Sequence, residues 1–202
     1  MRRMRYLGAA LIALALFGVY DYMSSRPIDW RPGILVAAEP AQADLTEAAP
    51  LEHGSFKLIP RATFVAEARV LSRSRYHLGA LAEVSPLDIA VGWGPMSDSA
   101  VLADLEVSQG NRFYYWHYDD EPPIAREIIE THSANWHLVP QSSAVWKSLS
   151  SIRVGDVVKL EGELVDLERP DLGVMRTSLR RDDTGAGACE VILVQSVSFR
   201  YH

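Results

Sequence analysis

Apolar and polar residues alternate along several segments of the chain. Residues 157–165, VVKLEGELV, place an apolar side chain at every second position over most of their length. Side chains of a strand point alternately to the two faces of a sheet, so this pattern predicts strands with one buried face. Further strands are predicted at 64–71, 88–91, 174–180 and 189–199, the last apolar on both faces and therefore central.

A hairpin and two short helices are predicted between these strands. Apolar residues alternate over 101–107, and the pair Gly110-Asn111 separates them from the aromatic run 113–118, FYYWHY. A pair of this kind between two strand patterns is typical of a tight hairpin turn. Pro122-Pro123 introduces one helix candidate, and Ser142 is the predicted N-cap of the other.

The segment 155–165, GDVVKLEGELV, looks like the strand and turn pattern of OB-like barrels. The resemblance implies a barrel whose faces bind oligomeric ligands. Five or more antiparallel strands with one or two short helices fit that architecture. We therefore expect a mainly β (α+β) fold, a small, partly open antiparallel β-barrel of OB-like type.

Composition and charge narrow the classes of partner. The 202 residues, 48% hydrophobic and 23% charged, fit one globular domain plus appendages. The net charge is −6, and without the three arginines among the first five residues it is 17 − 26 = −9. An acidic domain is not expected to bind nucleic acid, because that binding relies on Lys and Arg displacing counterions. The single cysteine, Cys189, excludes an internal disulfide and any site built from several cysteines.

The N-terminus has the order of a signal or a membrane anchor. The arginines precede an uncharged run, residues 6–20, YLGAALIALALFGVY. Tyr20 and Tyr22 stand where a signal peptidase needs small residues, whereas tyrosines favour the membrane interface. We predict an uncleaved transmembrane helix over 1–23, with a cleaved signal peptide as the alternative. The positive-inside rule then predicts a single-pass protein of the inner membrane whose remaining chain lies in the periplasm.

Residues 24–52 contain four prolines among Ala, Glu, Gln and Asp. Proline at this density disfavours helices and central strands, so the segment is predicted to be an extended stalk. One exception is possible, an edge strand at 34–36 with Trp30 packed on the domain. The folded extracytoplasmic domain is predicted over 53–202.

The densest polar cluster is 131–137, THSANWH. Histidine is the usual general base and metal ligand, and Asn135 is suited to orient a ring or to bind an oxyanion. The spacing of five separates His132 and His137 on a helix or a strand, so only a loop brings both rings to one point. The alternative is an irregular connection in which these side chains satisfy buried backbone groups.

Three further residues near the C-terminus are catalytic candidates: Asp183, Cys189 and Glu190. The run 183–186, DTGA, resembles the signature of aspartic proteases, but Arg181 and Asp182 stand where that family has apolar residues. Only 17 residues follow Gly185, too few for the strands that family requires. A reactive Cys189 needs a neighbouring cation or imidazole, which His132 or His137 would supply as a Cys-His-Asn group. The alternative is an inert, buried thiol.

Aromatic side chains are the candidates for ligand binding. On a strand the run 113–118 divides into two faces, with Tyr114, Trp116 and Tyr118 on one of them. One face is expected in the core, and the other is a candidate stacking surface for sugars or bases, together with Trp93.

Two functional hypotheses follow. The first is a membrane-anchored binding or scaffold module of the cell envelope, with an envelope protein or an oligosaccharide as its partner. The second is a hydrolase or metal-dependent enzyme that uses His132, Asn135 and His137 with Asp183, Cys189 or Glu190. The residues identify no cofactor and no complete set of metal ligands.

The predicted topology is testable with reporter fusions. An enzyme that is active only in the periplasm, fused after residue 30, should be active because the arginines hold the N-terminus in the cytoplasm. Reporter activity in colonies measures this. A cytoplasm-only reporter that stays active at the same position would contradict the predicted orientation.

Overall fold

The computed structural model describes residue 18 and residues 26–183, 185 and 187–200. Its strands and helices, in chain order, are β1 (Ala41–Asp44), β2 (Leu51–His53), β3 (Phe56–Arg75), α1 (Ala80–Val84), β4 (Leu87–Gly92), a 3-10 turn (Gly94–Ser97), α2 (Ser99–Leu102), β5 (Glu106–Gly110), β6 (Phe113–His117), α3 (Arg126–Thr131), β7 (Ser133–Pro140), α4 (Ser143–Leu149), β8 (Val157–Arg169), β9 (Gly173–Met175) and β10 (Glu190–Phe199). Eight strands form one sheet, and β5 and β6 form a separate hairpin. The prediction of a mainly β protein with a few short helices is confirmed.

The predicted membrane helix, 1–23, lies outside the described residues except for residue 18. In the part of the chain that the structure describes, no helix has the length and apolar character needed to cross a membrane.

The five longest strands of the sheet pair in a circuit, in which each strand pairs with the next and the last pairs with the first. Strand β3 pairs with β4, β4 with β7, β7 with β10 and β10 with β8, and β8 pairs in turn with the other edge of β3. The β7–β10 pair is parallel and the others are antiparallel. The short strands β1 and β2 pair with β3, and β9 pairs with β8.

Strand β3 has 20 residues, and its buried side chains contribute to the core. Its buried positions alternate from Phe56 to Ala68, as the period-two pattern requires. Register shifts interrupt its pairing at 60–62 with β8 and at 70–72 with β4. Such irregularities bend a strand and increase its twist, which lets β3 serve neighbours on both edges.

The main core lies on the inner face of this circuit. Phe64 meets Trp136 edge to face, with ring centroids 5.5 Å apart, and both side chains are almost fully buried. Val70, Ile89 and Leu160 belong to the same cluster. A separate cluster forms where hairpin β5–β6 and helix α3 cover the outer face of β4.

The proline-rich segment follows the surface of the domain over the described residues 26–52. Ile28 and Trp30 each donate a hydrogen bond to the turn before β8, at 2.9 and 2.7 Å. Val36 is buried, although 34–36 is not a strand, and β1 extends the sheet. The described part of the predicted stalk therefore contacts the domain, and Trp30 packs on it as the exception allowed.

The hairpin is confirmed, but its turn is Asn111-Arg112 and not Gly110-Asn111, because Gly110 still pairs with Phe113. The helix predicted after Pro122-Pro123 begins only at Arg126. The second helix is confirmed, with Ser142 accepting a hydrogen bond from the backbone of Val145 at 3.3 Å. Two predicted strands are partly wrong. Residues 101–102, at the start of the predicted strand 101–107, belong to helix α2. Asp98 caps this helix by accepting a hydrogen bond from Ala100 N–H at 2.8 Å. The strand predicted at 174–180 ends at Met175.

Gly162 on β8 offers a test of the packing between strands. A Cβ atom there would lie 2.1 Å from the carbonyl oxygen of Leu193 on β10. We expect Gly162→Ala to lower the free energy of unfolding by about 3 kcal/mol, because the two backbones must separate. Urea unfolding of the full-length protein in detergent measures it.

Gly110→Ala is the matched control, since its added Cβ atom would meet the Tyr115 ring at an ordinary 3.9 Å. We expect a change within about 0.5 kcal/mol. Equal stability of the two variants would contradict the close β8–β10 contact.

Candidate functional site

Polar side chains form a row on the outer face of strands β4 and β7. Asp88 pairs with His137 in the antiparallel register, and Asn135 precedes His137 by two residues, so all three point to the same side of the sheet. The opposite face carries Ile89 and Trp136 of the main core. Strand alternation alone therefore separates this polar row from the apolar interior.

Hairpin β5–β6 covers the polar row and is attached to it by hydrogen bonds. Asn111 and Arg112 form its two-residue turn at φ 52° and 69°, the left-handed values that a type I′ turn requires. The turn brings Nη1 of Arg112 to 2.8 Å from Oδ1 of Asp88. Gln109 donates to Oδ1 of Asn135 at 2.6 Å, and Nδ2 of Asn135 donates to the carbonyl oxygen of Arg112 at 3.0 Å.

His137 lies between a carboxylate and a thiol. Its Nδ1 is 3.0 Å from Oδ1 of Asp88, and the ring also interacts with the thiol of Cys189. Burial alone would lower the pKa of His137, but the interactions with Asp88 and Cys189 outweigh burial and raise the pKa from 6.5 to about 9. The ring is therefore protonated at neutral pH. Asn135 also approaches the thiol, with Nδ2 3.7 Å from Sγ.

A cleft of about 380 Å³ opens beside Cys189. It lies between strand β6, the start of β7 and the loop that precedes β10. Tyr115 is 52% exposed and Phe113 39%, so the hairpin presents accessible rings. The aromatic residues that line the cleft are Trp93, Phe113, Tyr114, Tyr115 and Trp116.

The loop before β10 and the start of β10 supply charged groups to the cleft. Arg181 forms an ion pair with the buried carboxylate of Glu190, and its guanidinium carbon lies 5.7 Å from the Phe64 ring centroid. Burial lowers the pKa of Arg181. Asp183 accepts a hydrogen bond from Oγ of Ser178 at 2.7 Å. These contacts fix the loop against the end of the core.

The structure brings most of the predicted catalytic candidates together. Asn135, Asp183, Cys189 and Glu190 line one cleft. His137 reaches the same place through its interaction with Cys189. Cys189, His137 and Asn135 are therefore neighbours, whereas their action as a Cys-His-Asn catalytic group stays a prediction.

His132 does not join this group. Its Nδ1 is 3.1 Å from the carbonyl oxygen of Ile128 and 3.0 Å from Oγ1 of Thr131, and its ring packs against Gly94. Only a loop would bring the two imidazoles together, and 133–140 is a strand, so the alternative with both rings at one point is not observed. The other alternative, in which His132 contacts a backbone group, agrees with its position beside the Ile128 carbonyl. Among the described residues, no three His, Cys, Asp or Glu side chains are placed to hold a metal ion.

Three of the four aromatic candidates line the cleft: Trp93, Tyr114 and Trp116. Tyr118 lies outside it and stacks on Trp116, with ring centroids 6.0 Å apart. The predicted division of the run between two faces is observed, since burial alternates from 113 to 117. Phe113 and Tyr115, on the more exposed face, also reach the cleft.

Sequence reasoning missed Asp88 and Arg112. A signal for Asp88 exists, because it is one carboxylate within the apolar segment 87–91, LDIAV, and such a residue belongs either on a solvated face or with a buried partner. Asp88 is fully buried. No local pattern indicates that the Arg112 side chain reaches back from the turn to β4.

Known proteins provide no assignment for this cleft. No protein-family model, curated protein or solved structure gives a significant match to the chain.

The raised pKa of His137 predicts a pH-dependent stability. The native protein keeps a proton on His137 that the unfolded chain loses near pH 6.5, so this stabilisation is complete below that pH and disappears as pH rises through about 9. We expect the free energy of unfolding to fall by about 3 kcal/mol across this range. Urea unfolding at several pH values measures it.

His137→Gln should remove this component of the pH dependence. His117→Gln is the matched control, because the His117 side chain is 73% exposed and lies 3.8 Å from an exposed Asp119. The control should retain the wild-type slope. A wild-type slope in His137→Gln would show that His137 is not the group responsible.

Proposed function

We propose that this protein is an OB-like barrel module of the cell envelope, anchored in the inner membrane by residues 1–23, whose periplasmic cleft binds the end of an oligosaccharide. The observation that carries the proposal is the position of the aromatic cleft on the sheet. The order of the strands supports the fold, the cleft supports a binding role, and the N-terminal pattern supports the location.

The strand pairings support an OB-like barrel. Five strands, β3, β4, β7, β10 and β8, pair in that order, and β8 returns to β3. One pair, β7–β10, is parallel, and helix α4 connects β7 to β8. A five-stranded Greek-key barrel with partial closure has this type of connectivity.

The cleft coincides with the face that binds ligands in OB-like barrels. That face comprises the second and third strands with the loops after the first and fourth. Here the second and third strands are β4 and β7, and the loop after the fourth strand, β8, leads through β9 to Cys189. Strand β7 and this loop both line the cleft.

Hairpin β5–β6 limits how much of a polymer this face accommodates. The hairpin is inserted between β4 and β7 and covers the centre of the face, where Arg112 binds Asp88. A long strand of oligomer therefore cannot lie across the face, whereas a cleft of about 380 Å³ holds one or two rings. This geometry favours the end of a chain over its middle.

The lining of the cleft favours a carbohydrate. Exposed rings such as Tyr115 offer flat stacking surfaces, and the charged groups beside them offer hydrogen bonds. The acidic charge of the chain disfavours polyphosphate ligands. An envelope protein is the other partner class, and it is an outcome of the test below.

Ligand binding is testable by tryptophan fluorescence. We expect soluble peptidoglycan fragments, disaccharides that carry short peptides, to change the fluorescence of the full-length protein saturably, because Trp93 and Trp116 line the cleft. Tyr115→Ala should weaken binding about tenfold through loss of a stacking surface.

Leu78→Ala is the matched control, since that side chain is 91% exposed and lies outside the cleft. It should bind as the wild type does. Saturation by the free peptide but not by the free disaccharide would show that the cleft binds peptide and would overturn the carbohydrate proposal, as would the absence of a saturable change with any fragment.

A further inference from the structure

Ligand binding does not account for the group formed by Cys189, His137 and Asp88. The half-buried Cys189 lines the cleft, so a ligand held there reaches its thiol. A thiol that only fills space has apolar neighbours, whereas this one lies next to the imidazole of His137 and the amide of Asn135, with Sγ 4.0 Å from the carbonyl oxygen of Arg112. A thiol, an imidazole and a carboxylate in contact are the parts of an activated nucleophile, its base and the group that orients the base.

Attachment of the hairpin does not account for His137 either. The hairpin is held by Arg112 on Asp88, by the contacts of Asn135, and by Tyr114, whose hydroxyl lies 3.1 Å from Oγ of Ser133. The contacts of the His137 ring that the structure gives are to Asp88 and to Cys189. Burying a charged imidazolium costs free energy. A ring that lies between a carboxylate and a thiol is in the position that proton transfer between thiol and ring requires.

Asn135 supplies the donor that acyl chemistry needs. Because Gln109 donates to its Oδ1 at 2.6 Å, the side-chain amide is held with Nδ2 as the donor end. One N–H binds the carbonyl oxygen of Arg112, and Nδ2 is 3.7 Å from Sγ of Cys189. A carbonyl carbon bonded to Sγ would place its oxygen near this amide, where a developing negative charge accepts a hydrogen bond.

We propose that Cys189 is a nucleophile that takes an acyl group from an ester, thioester or amide held in the cleft, with His137 as its acid–base partner. Asp88 is a positioning residue that holds the imidazole, and Arg112 holds Asp88. The inference rests on the proposed ligand cleft for delivery of the acyl group, whereas the reactivity of the thiol does not depend on it.

The proposed reaction has two balanced steps. The thiol and the imidazole share a proton, which is on the ring when Sγ attacks the carbonyl carbon. The Sγ–C bond forms, the bond from the acyl carbon to the leaving group breaks, and His137 gives its proton to the leaving group. Water then attacks the thioester and gives a proton to His137, the Sγ–C bond breaks, and the carboxylic acid leaves.

A single acetylation of the protein tests the proposal. We expect para-nitrophenyl acetate to release a burst of about one nitrophenolate per chain from the full-length protein in detergent, with one acetyl group on Cys189 by peptide mass spectrometry. Cys189→Ala should show no burst. His137→Gln should be acetylated about a hundredfold more slowly, and His117→Gln, at an exposed side chain that does not line the cleft, should match the wild type.

Two further measurements keep the proposal falsifiable if His137→Gln unfolds. Cys189 is the only cysteine, so iodoacetamide reports on this thiol alone. At pH 6 we expect alkylation of the native thiol about tenfold faster than in the urea-unfolded chain. Asn135→Ala should slow acetylation but not alkylation, because alkylation develops no oxyanion, and a purely structural role of Asn135 would alter both rates together.

The outcomes separate this inference from the proposed function. Slower alkylation in the native protein than in the unfolded chain, together with no acetyl group on Cys189, would overturn the nucleophile. Acetylation of Cys189 without saturable binding of peptidoglycan fragments would support the nucleophile and reject the carbohydrate ligand. Cys189→Ala that still binds the fragments would show that binding and chemistry are separable functions of one cleft.

Discussion

The buried ion pair between Arg112 and Asp88 is the interaction on which the site depends. Asp88 lies on β4 with no exposed surface, and its carboxylate is bound at 2.8 Å by a residue from the turn of an inserted hairpin. Removing one partner of such a pair leaves a buried charge that nothing compensates, which costs several kcal/mol. The same carboxylate also holds the imidazole of His137. Asp88 therefore contacts both the hairpin and the ring beside the thiol.

The inserted hairpin changes what the sheet can bind. Strands β4 and β7 would otherwise present an open outer face, and the hairpin covers its centre and leaves a cleft at one side. The aromatic rings of the hairpin and the charged loop before β10 both line this cleft. The proposed ligand end and the proposed acyl group both reach Cys189 along these walls, so the two proposals share geometry but differ in the groups they require.

Sequence patterns predicted most of the fold because strand alternation is a local property. The segments 64–71, 88–91 and 157–165 were each identified from apolar residues at every second position, and all three are strands. The failures are also local in cause. Asp98 at a helix N-cap converts the start of 101–107 into helix, since a capping side chain outweighs a short alternation.

The sequence by itself determined which residues share a face of each strand, that a hairpin turn lies within 110–112, and that one thiol is available. It also placed Asn135 and His137 among the catalytic candidates. Only the tertiary structure decided which histidine meets Cys189, because that depends on the parallel pairing of β7 with β10, two strands separated by about fifty residues. The sequence did not identify the partner of Asp88 for the same reason. A contact between two separate segments of the chain produces no periodic pattern in either segment.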